Sequence, residues 1–331
     1  MVVADHQVAE AVAEVVVAGN GMGMMMSLTT SLLIALGIVA VSYTILLVSE
    51  LIAVRRNAAS ENPLAPTAAG TATGFVTNFF DTLGIGSFAT TTSIFRQWRL
   101  VPDEIIPGTL NVGHTLPAIV QAFIFIRIVP VDGRTLALMI AAAVSGAWLG
   151  AGVVAGLPRR QVQLGMGAAL FGAAIIMSLT LLSLLPGGGT DLSLAGSRLI
   201  VAVTGNFLLG ALMTLGIGLY APCMILVSLL GMNPTAAFPI MMGSCAFLMP
   251  VASARFIRAR SYSPRISVGL LVGGIPAVLI AAFIVKSLPL TAIRFLVVIV
   301  VLYTSAGLIR AARRERKQSE VPPSVSVAKS T

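Results

Sequence analysis

Long apolar blocks, separated by short connectors rich in Gly, Pro or charge, recur along the chain: Leu28 to Val54, Leu136 to Leu157, Val162 to Leu185 and Val268 to Val285. Each approaches or exceeds the roughly 20 residues that a helix rising about 1.5 Å per residue needs to cross about 30 Å of hydrocarbon. Inside lipid every backbone polar group must be bonded within its own segment, so blocks of this length predict helices. The short alternating segments of a membrane barrel do not occur. The pattern predicts an all-α, polytopic transmembrane helical bundle. Composition agrees, since 57% of the 331 residues are apolar and 10% charged, against about 25% charged in an average soluble domain.

The ends differ in charge. Residues 1–27 carry Asp5, His6, Glu10 and Glu14 without Lys or Arg, so they lack the basic start of a secretory signal and read as an external or interfacial tail. The segment from Arg310 onward holds Arg313, Arg314, Arg316, Lys317 and Lys329 among Ser and Pro, and reads as a basic cytoplasmic tail, with 318–331 outside the bundle. The net charge of +9 then reflects loops retained in the cytoplasm, and a nucleic-acid partner is not expected. Cys223 and Cys245, the two cysteines, sit in apolar blocks as packing residues.

Displacing the chain against itself by 132 residues lays Thr82-Leu83-Gly84-Ile85-Gly86 over Thr214-Leu215-Gly216-Ile217-Gly218. Without a gap, Ala89 then meets Ala221, Pro102 meets Pro234, Pro107 meets Pro239 and Leu116 meets Leu248. Nine identities in 35 positions exceed the two or three expected by chance at roughly this composition. Two homologous repeats follow, 28–159 and 160–317. Each contains a segment, 67–95 and 199–230, longer than a straight crossing needs and interrupted by Gly-Ile-Gly. Two glycines one residue apart weaken a helix and admit backbone conformations closed to other residues, which predicts a discontinuous or re-entrant helix in each repeat. Matching broken helices are the sequence pointer to a transporter's binding site, while close helix packing is the plain alternative for the same glycines.

The first repeat reads GFVTNFFDTLGIGSFATTTSIF and then IIPGTLNVGHTLPAI. The second reads GNFLLGALMTLGIGLYAPCMILVSLLGMNP and then FPIMMGSCAFLMP. In these motifs the chain resembles the sulfite exporter TauE/SafE family of membrane permeases, over about residues 28–312. Where many members continue the turn with further glycines, this chain has Ser87-Phe88 and Leu219-Tyr220. The resemblance implies a permease or exporter for a small sulfur-containing or organic anion, such as sulfite or a sulfonate, in a bacterial cytoplasmic membrane. An inside-negative potential favours exit of such an anion by about 2.3 kcal/mol per charge per 100 mV, so export needs no coupled ion.

If both broken segments cross fully the chain has nine spans; if both are re-entrant it has seven. The seven-span arrangement puts Arg96, Arg99, Arg159 and Arg160 inside and Arg127, Arg134 and Arg198 outside, a slightly better fit to the positive-inside rule, and it makes the repeats antiparallel. Either way the N-terminus is outside and the C-terminus cytoplasmic. The substrate is expected where the two turns face each other: Asn78, Gly84, Gly86, Ser87, Thr90, Thr91, Asn111 and His114 from one repeat, and Gly216, Gly218, Tyr220, Gly243, Ser244 and Cys245 from the other. A half-helix starting at such a turn offers unpaired N–H groups and a partial positive charge to an anion. Asp81 is the candidate for coupling or gating, or caps the second half-helix. Thr82 and Thr214 bond substrate or their own helix carbonyls. Trp98 with Arg96 and Arg99 marks an interface.

No Walker-type phosphate loop or histidine cluster occurs, so ATP-driven pumping, a metal, a cofactor and an enzymatic role are not expected. Two alternatives stay open: a passive anion channel, and a membrane-embedded enzyme centred on Asp81 and His114 with Asn111. The partners expected are the lipid bilayer and a small anionic solute. The chain is a monomer or a homodimer.

Overall fold

The computed structural model describes the backbone of residues 2–57, 64–154, 159–182, 189–213, 219–287 and 289–319. Eleven α-helices occur among them: α1 (Val2–Asn57), α2 (Ala68–Thr82), α3 (Ser87–Trp98), α4 (Ile106–Ile128), α5 (Gly133–Val154), α6 (Arg159–Leu181), α7 (Gly196–Met213), α8 (Tyr220–Leu229), α9 (Ala237–Arg258), α10 (Pro264–Ser287) and α11 (Leu290–Ser319). Short 3₁₀ turns, Asp103–Ile105 and Pro234–Ala236, lead into α4 and α9. No strand occurs among the described residues. The helix α1 takes in residues 2–27, set apart above as a tail, while its apolar span is Leu28–Arg56.

Five described segments are long and apolar enough to cross a membrane: Leu28–Arg56, Asp103–Ile128, Gly196–Met213, Pro234–Arg258 and Pro264–Val285. The exterior of the bundle fits the same medium. On α1, Ile34, Ile38, Val41, Ile45, Val48 and Ile52 are exposed in one stripe, whereas Leu36, Tyr43 and Leu47 are buried. Trp148, Leu208, Phe283 and Ile299 are likewise exposed on other helices. So much outward apolar surface is unstable in water and stable against lipid tails. The chain is a helical membrane protein.

The helices α2 to α6 begin 128 to 133 residues before α7 to α11, in the same order and with the 3₁₀ turns in the same place. Packing follows that correspondence. The helix α2 lies along α10, its counterpart α7 lies along α5, and α4 crosses α9. Glycine permits the first two contacts. A β-carbon at Gly74 of α2 would strike the main chain of Leu270 in α10, and one at Gly146 of α5 would strike the main chain of Phe207 in α7. Lipid tails are as apolar as leucine, so backbone-to-backbone approach of this kind is what holds such helices together. Between α4 and α9, Phe125 and Phe238 stack with ring centroids 5.3 Å apart.

At one end of the bundle Ser263 N–H donates to Thr109 Oγ1 (3.0 Å) and Arg265 Nε to Ala65 C=O (2.8 Å). This ties the start of α10 to the start of α4 and the approach to α2. Gly70, near the start of α2, lies against Ile266. Phe95, near the end of α3, shares a buried cluster with that same Ile266 and with Ile106, Leu110 and Leu270. At the opposite end Asp132 N–H donates to Leu192 C=O (2.8 Å) and Asn233 N–H to Asp191 C=O (2.8 Å), joining the α4–α5 turn, the approach to α7 and the end of α8.

Candidate functional site

The helix α2 stops at Thr82 and α3 starts at Ser87 because Gly84 and Gly86 take φ values of +97° and +83°. These positive angles are open to glycine and cost other residues strain. With 15 and 12 residues, each half is about 18 to 23 Å long, short of the roughly 30 Å of a hydrocarbon core. The break therefore falls within the depth of the bundle. There Asp81 accepts the main-chain N–H of Ser87 on Oδ1, across the break, and the amide of Gln121 on Oδ2 at 2.9 Å. Asp81 thus caps α3. The N-terminus of α3, expected above to present open donors to a solute, already holds this carboxylate.

Gln121 is the hub. Its Nε2 also donates to Thr82 Oγ1 (2.8 Å), and its Oε1 accepts from Tyr220 Oη (3.0 Å), the first residue of α8. One side chain of α4 therefore joins the end of α2 to the start of α8. One turn and more away, His114 Nδ1 meets Asn78 Oδ1 and its Nε2 meets Thr91 Oγ1, both at 3.1 Å. Asn78 Nδ2 donates to Gly74 C=O (2.8 Å), which turns its oxygen toward the ring. His114 then carries its proton on Nδ1, and Nε2 accepts from Thr91.

A cavity of about 30 Å³ opens between the break and α8, lined by Asp81, Gly86, Ser87, Phe88, His114, Ala118, Met213, Leu219, Tyr220, Cys245 and Met249. It holds one or two waters, so any larger solute requires its walls to part. Of the expected site residues, Gly86, Ser87, His114, Tyr220, Cys245 and the coupling candidate Asp81 line it. Asn78 and Thr91 stand behind His114. The others are bonded or packed elsewhere. Thr90 donates to Ser87 C=O, Asn111 to Pro107 C=O and Ser244 to Ile240 C=O, while Gly243 packs on Ile140 and Gly84 on Met224. Thr82 bonds back to Asn78 C=O at 2.8 Å. Thr214, Gly216 and Gly218 lie outside the described residues. Among the described residues no three His, Cys, Asp or Glu side chains gather as a metal site.

Gln121 and Met249 were not singled out in the sequence. His114, Ala118 and Gln121 follow the helical spacing i, i+4, i+7 on α4, and that spacing is the signal that would have found Gln121. Met213 is the residue that the 132-residue displacement sets opposite Asp81. The wall from the first half brings Asp81, Ser87 and His114, and the wall from the second brings Met213, Cys245 and Met249 beside the Tyr220 hydroxyl. Cys245 Sγ lies 3.8 Å from Met213 Sδ.

Fold and site together define a helical membrane bundle with an interrupted helix at a mainly apolar cavity that holds a carboxyl group. Comparison with known protein families, with characterised proteins and with solved structures gave no match.

Proposed function

We propose that the chain is a permease of two antiparallel repeats that carries a small anion, sulfite or a sulfonate in the first instance, through the cavity beside Asp81. The observation that carries this reading is the convergence of α2, α3, α4, α7, α8 and α9 on one mainly apolar cavity that holds the Asp81 carboxyl group, with Met213 at the end of α7 and Tyr220 at the start of α8 both in its wall. Broken helices from two related halves meeting at depth are a recurrent transporter architecture, because helix ends and freed backbone groups supply a polar site without an open channel. The matching element order supports the two repeats, and the motifs around the two Thr-Leu-Gly-Ile-Gly turns support the sulfur-anion substrate. A cavity with room for only one or two waters favours a carrier over the passive channel. Two tests on purified protein in vesicles decide. Saturable efflux of sulfite or methanesulfonate above protein-free vesicles is expected, and flux that rises linearly without saturation returns the channel.

In the proposed topology α2–α3 and α7–α8 are re-entrant hairpins. Packing of both Gly70 and Phe95 beside Ile266 supports the first. The link of Asn233, past the end of α8, to Asp191, ahead of α7, supports the second. Seven full spans then place Arg55, Arg56, Arg96, Arg99, Arg255, Arg258, Arg260 and Arg265 at the end shared with the basic C-terminal helix. Only Arg127, Arg134, Arg198, Lys286 and Arg294 fall at the other end, which the positive-inside rule makes the outside of a bacterial cytoplasmic membrane. Single cysteines at exposed positions should report this. Arg134→Cys and Arg198→Cys are expected to react with a membrane-impermeant maleimide on intact cells, and Arg96→Cys and Arg258→Cys only after permeabilisation. Labelling of Arg96→Cys on intact cells, with Arg134→Cys protected, would instead return the nine-span arrangement.

A further inference from the structure

The cavity wall contains a carboxyl group and no fixed positive charge to match it. Among the residues lining it there is no Lys or Arg, and the groups that reach the Asp81 carboxylate are Gln121 from α4, Ser87 from α3 and Tyr220 from α8, all neutral. The remaining titratable groups nearby are His114 on α4, held between Asn78 and Thr91, and Cys245 on α9. The helix α10, packed along α2, brings no titratable side chain between Arg265 and Lys286. Both oxygens of Asp81 accept hydrogen bonds from N–H groups, the pattern of an ionised carboxylate. Ionised, Asp81 fills the site with a negative charge belonging to the protein itself.

We infer that an anion enters this cavity only together with a proton that neutralises Asp81, so that the permease carries one proton with each monovalent anion. This rests on the anion reading above. On entry the proton comes from the bulk solution and forms an O–H bond on Asp81; on release it returns to the bulk, and the cavity carries one negative charge before and after. Two unpaired negative charges in a space of this size repel strongly at low dielectric, whereas exchanging one for the other leaves the local field nearly unchanged. The new O–H also becomes a donor to the anion, beside the Ser87 N–H that the carboxylate releases. A monovalent anion then moves without net charge. Its flux follows the pH gradient and is insensitive to membrane potential, contrary to the voltage-driven export expected from the sequence.

The experiment uses methanesulfonate, a monoanion at every working pH, with the full chain purified in detergent. In weakly buffered solution containing a pH-indicator dye, wild-type protein is expected to take up one proton per anion bound above the pH at which Asp81 ionises. There its affinity should fall tenfold per pH unit. Asp81→Asn is expected to bind with a flat pH profile and no proton uptake. The proton count on wild type stands even if that variant fails to fold. Binding without proton uptake overturns the coupling and leaves the anion reading intact. Proton uptake retained by folded Asp81→Asn assigns the proton to another group, such as His114, and also overturns it. Absence of methanesulfonate binding at every pH, with sulfite equally inert, overturns the anion reading and the coupling with it.

Discussion

Replacing Gly84 with leucine is expected to reduce solute efflux at least tenfold while the protein still reaches the membrane. Gly84 holds φ +97°, and a β-carbon there would come within 2.9 Å of Met224 Sδ in α8. The larger side chain therefore acts twice. It strains the turn by about 1 to 3 kcal/mol, and it drives a wedge between the α2–α3 break and α8, whose relative movement must open a cavity that holds at most a couple of waters. Gly86 separates the two effects. It has φ +83° but open space around its β-position, so Gly86→Ala carries the strain without the wedge and should keep a larger share of activity. Initial efflux rates normalised to protein in the membrane provide the measurement. Wild-type flux in Gly84→Leu would remove the break from the transport path.

The sequence carried the helices and the break in legible form because both depend on local terms. Twenty apolar residues in lipid have few options besides a helix, and Gly-Ile-Gly inside such a run interrupts it whatever lies around it. Pro234 and Pro239 fall at the second 3₁₀ turn and in the first turn of α9, as Pro102 and Pro107 fall at the first 3₁₀ turn and in the first turn of α4. What could not be read is which polar groups face each other. Thr90, Asn111 and Ser244 looked like solute ligands by residue type, yet each donates to a carbonyl of its own helix, as hydroxyl and amide side chains do in apolar surroundings where that carbonyl is the nearest acceptor. Gln121 was overlooked because a lone glutamine on an apolar helix gains its meaning only from Asp81 and Tyr220, 40 and 99 residues distant. Asp81 lies at the break, bonded across it to Ser87. Its role as the cap of α3 depends on the turn returning Ser87 N–H to it, a geometry that spacing alone leaves open.

A severe loss of stability is expected at Gly146→Leu. The β-carbon at Gly146 falls on the carbonyl of Phe207, and that at Gly210, on the facing helix, falls on the carbonyl of Ala143. Neither obstacle is a flexible side chain, so α5 and α7 must separate along the contact. Overpacking that side chains absorb costs about 1 to 3 kcal/mol; here the main chain itself must move, and the apolar contact on both sides of the point of insertion is lost. The helices have no hydrophobic drive to re-form the interface in lipid, so the close approach is itself the source of cohesion. Gly146→Leu should therefore lower the yield of monodisperse protein severely and shift its thermal transition in detergent well below that of wild type. Gly172→Leu on α6, with nothing within 4 Å of its β-position, should leave both unchanged. The counterpart interface supplies the decisive comparison. Gly74 on α2 meets the main chain of Leu270 on α10 as Gly146 meets Phe207, and α2 with α10 corresponds to α7 with α5. Gly74→Leu should therefore be about as damaging as Gly146→Leu. A marked inequality between them would mean that the two pairs, alike in their glycine contacts, do not share the weight of the bundle evenly.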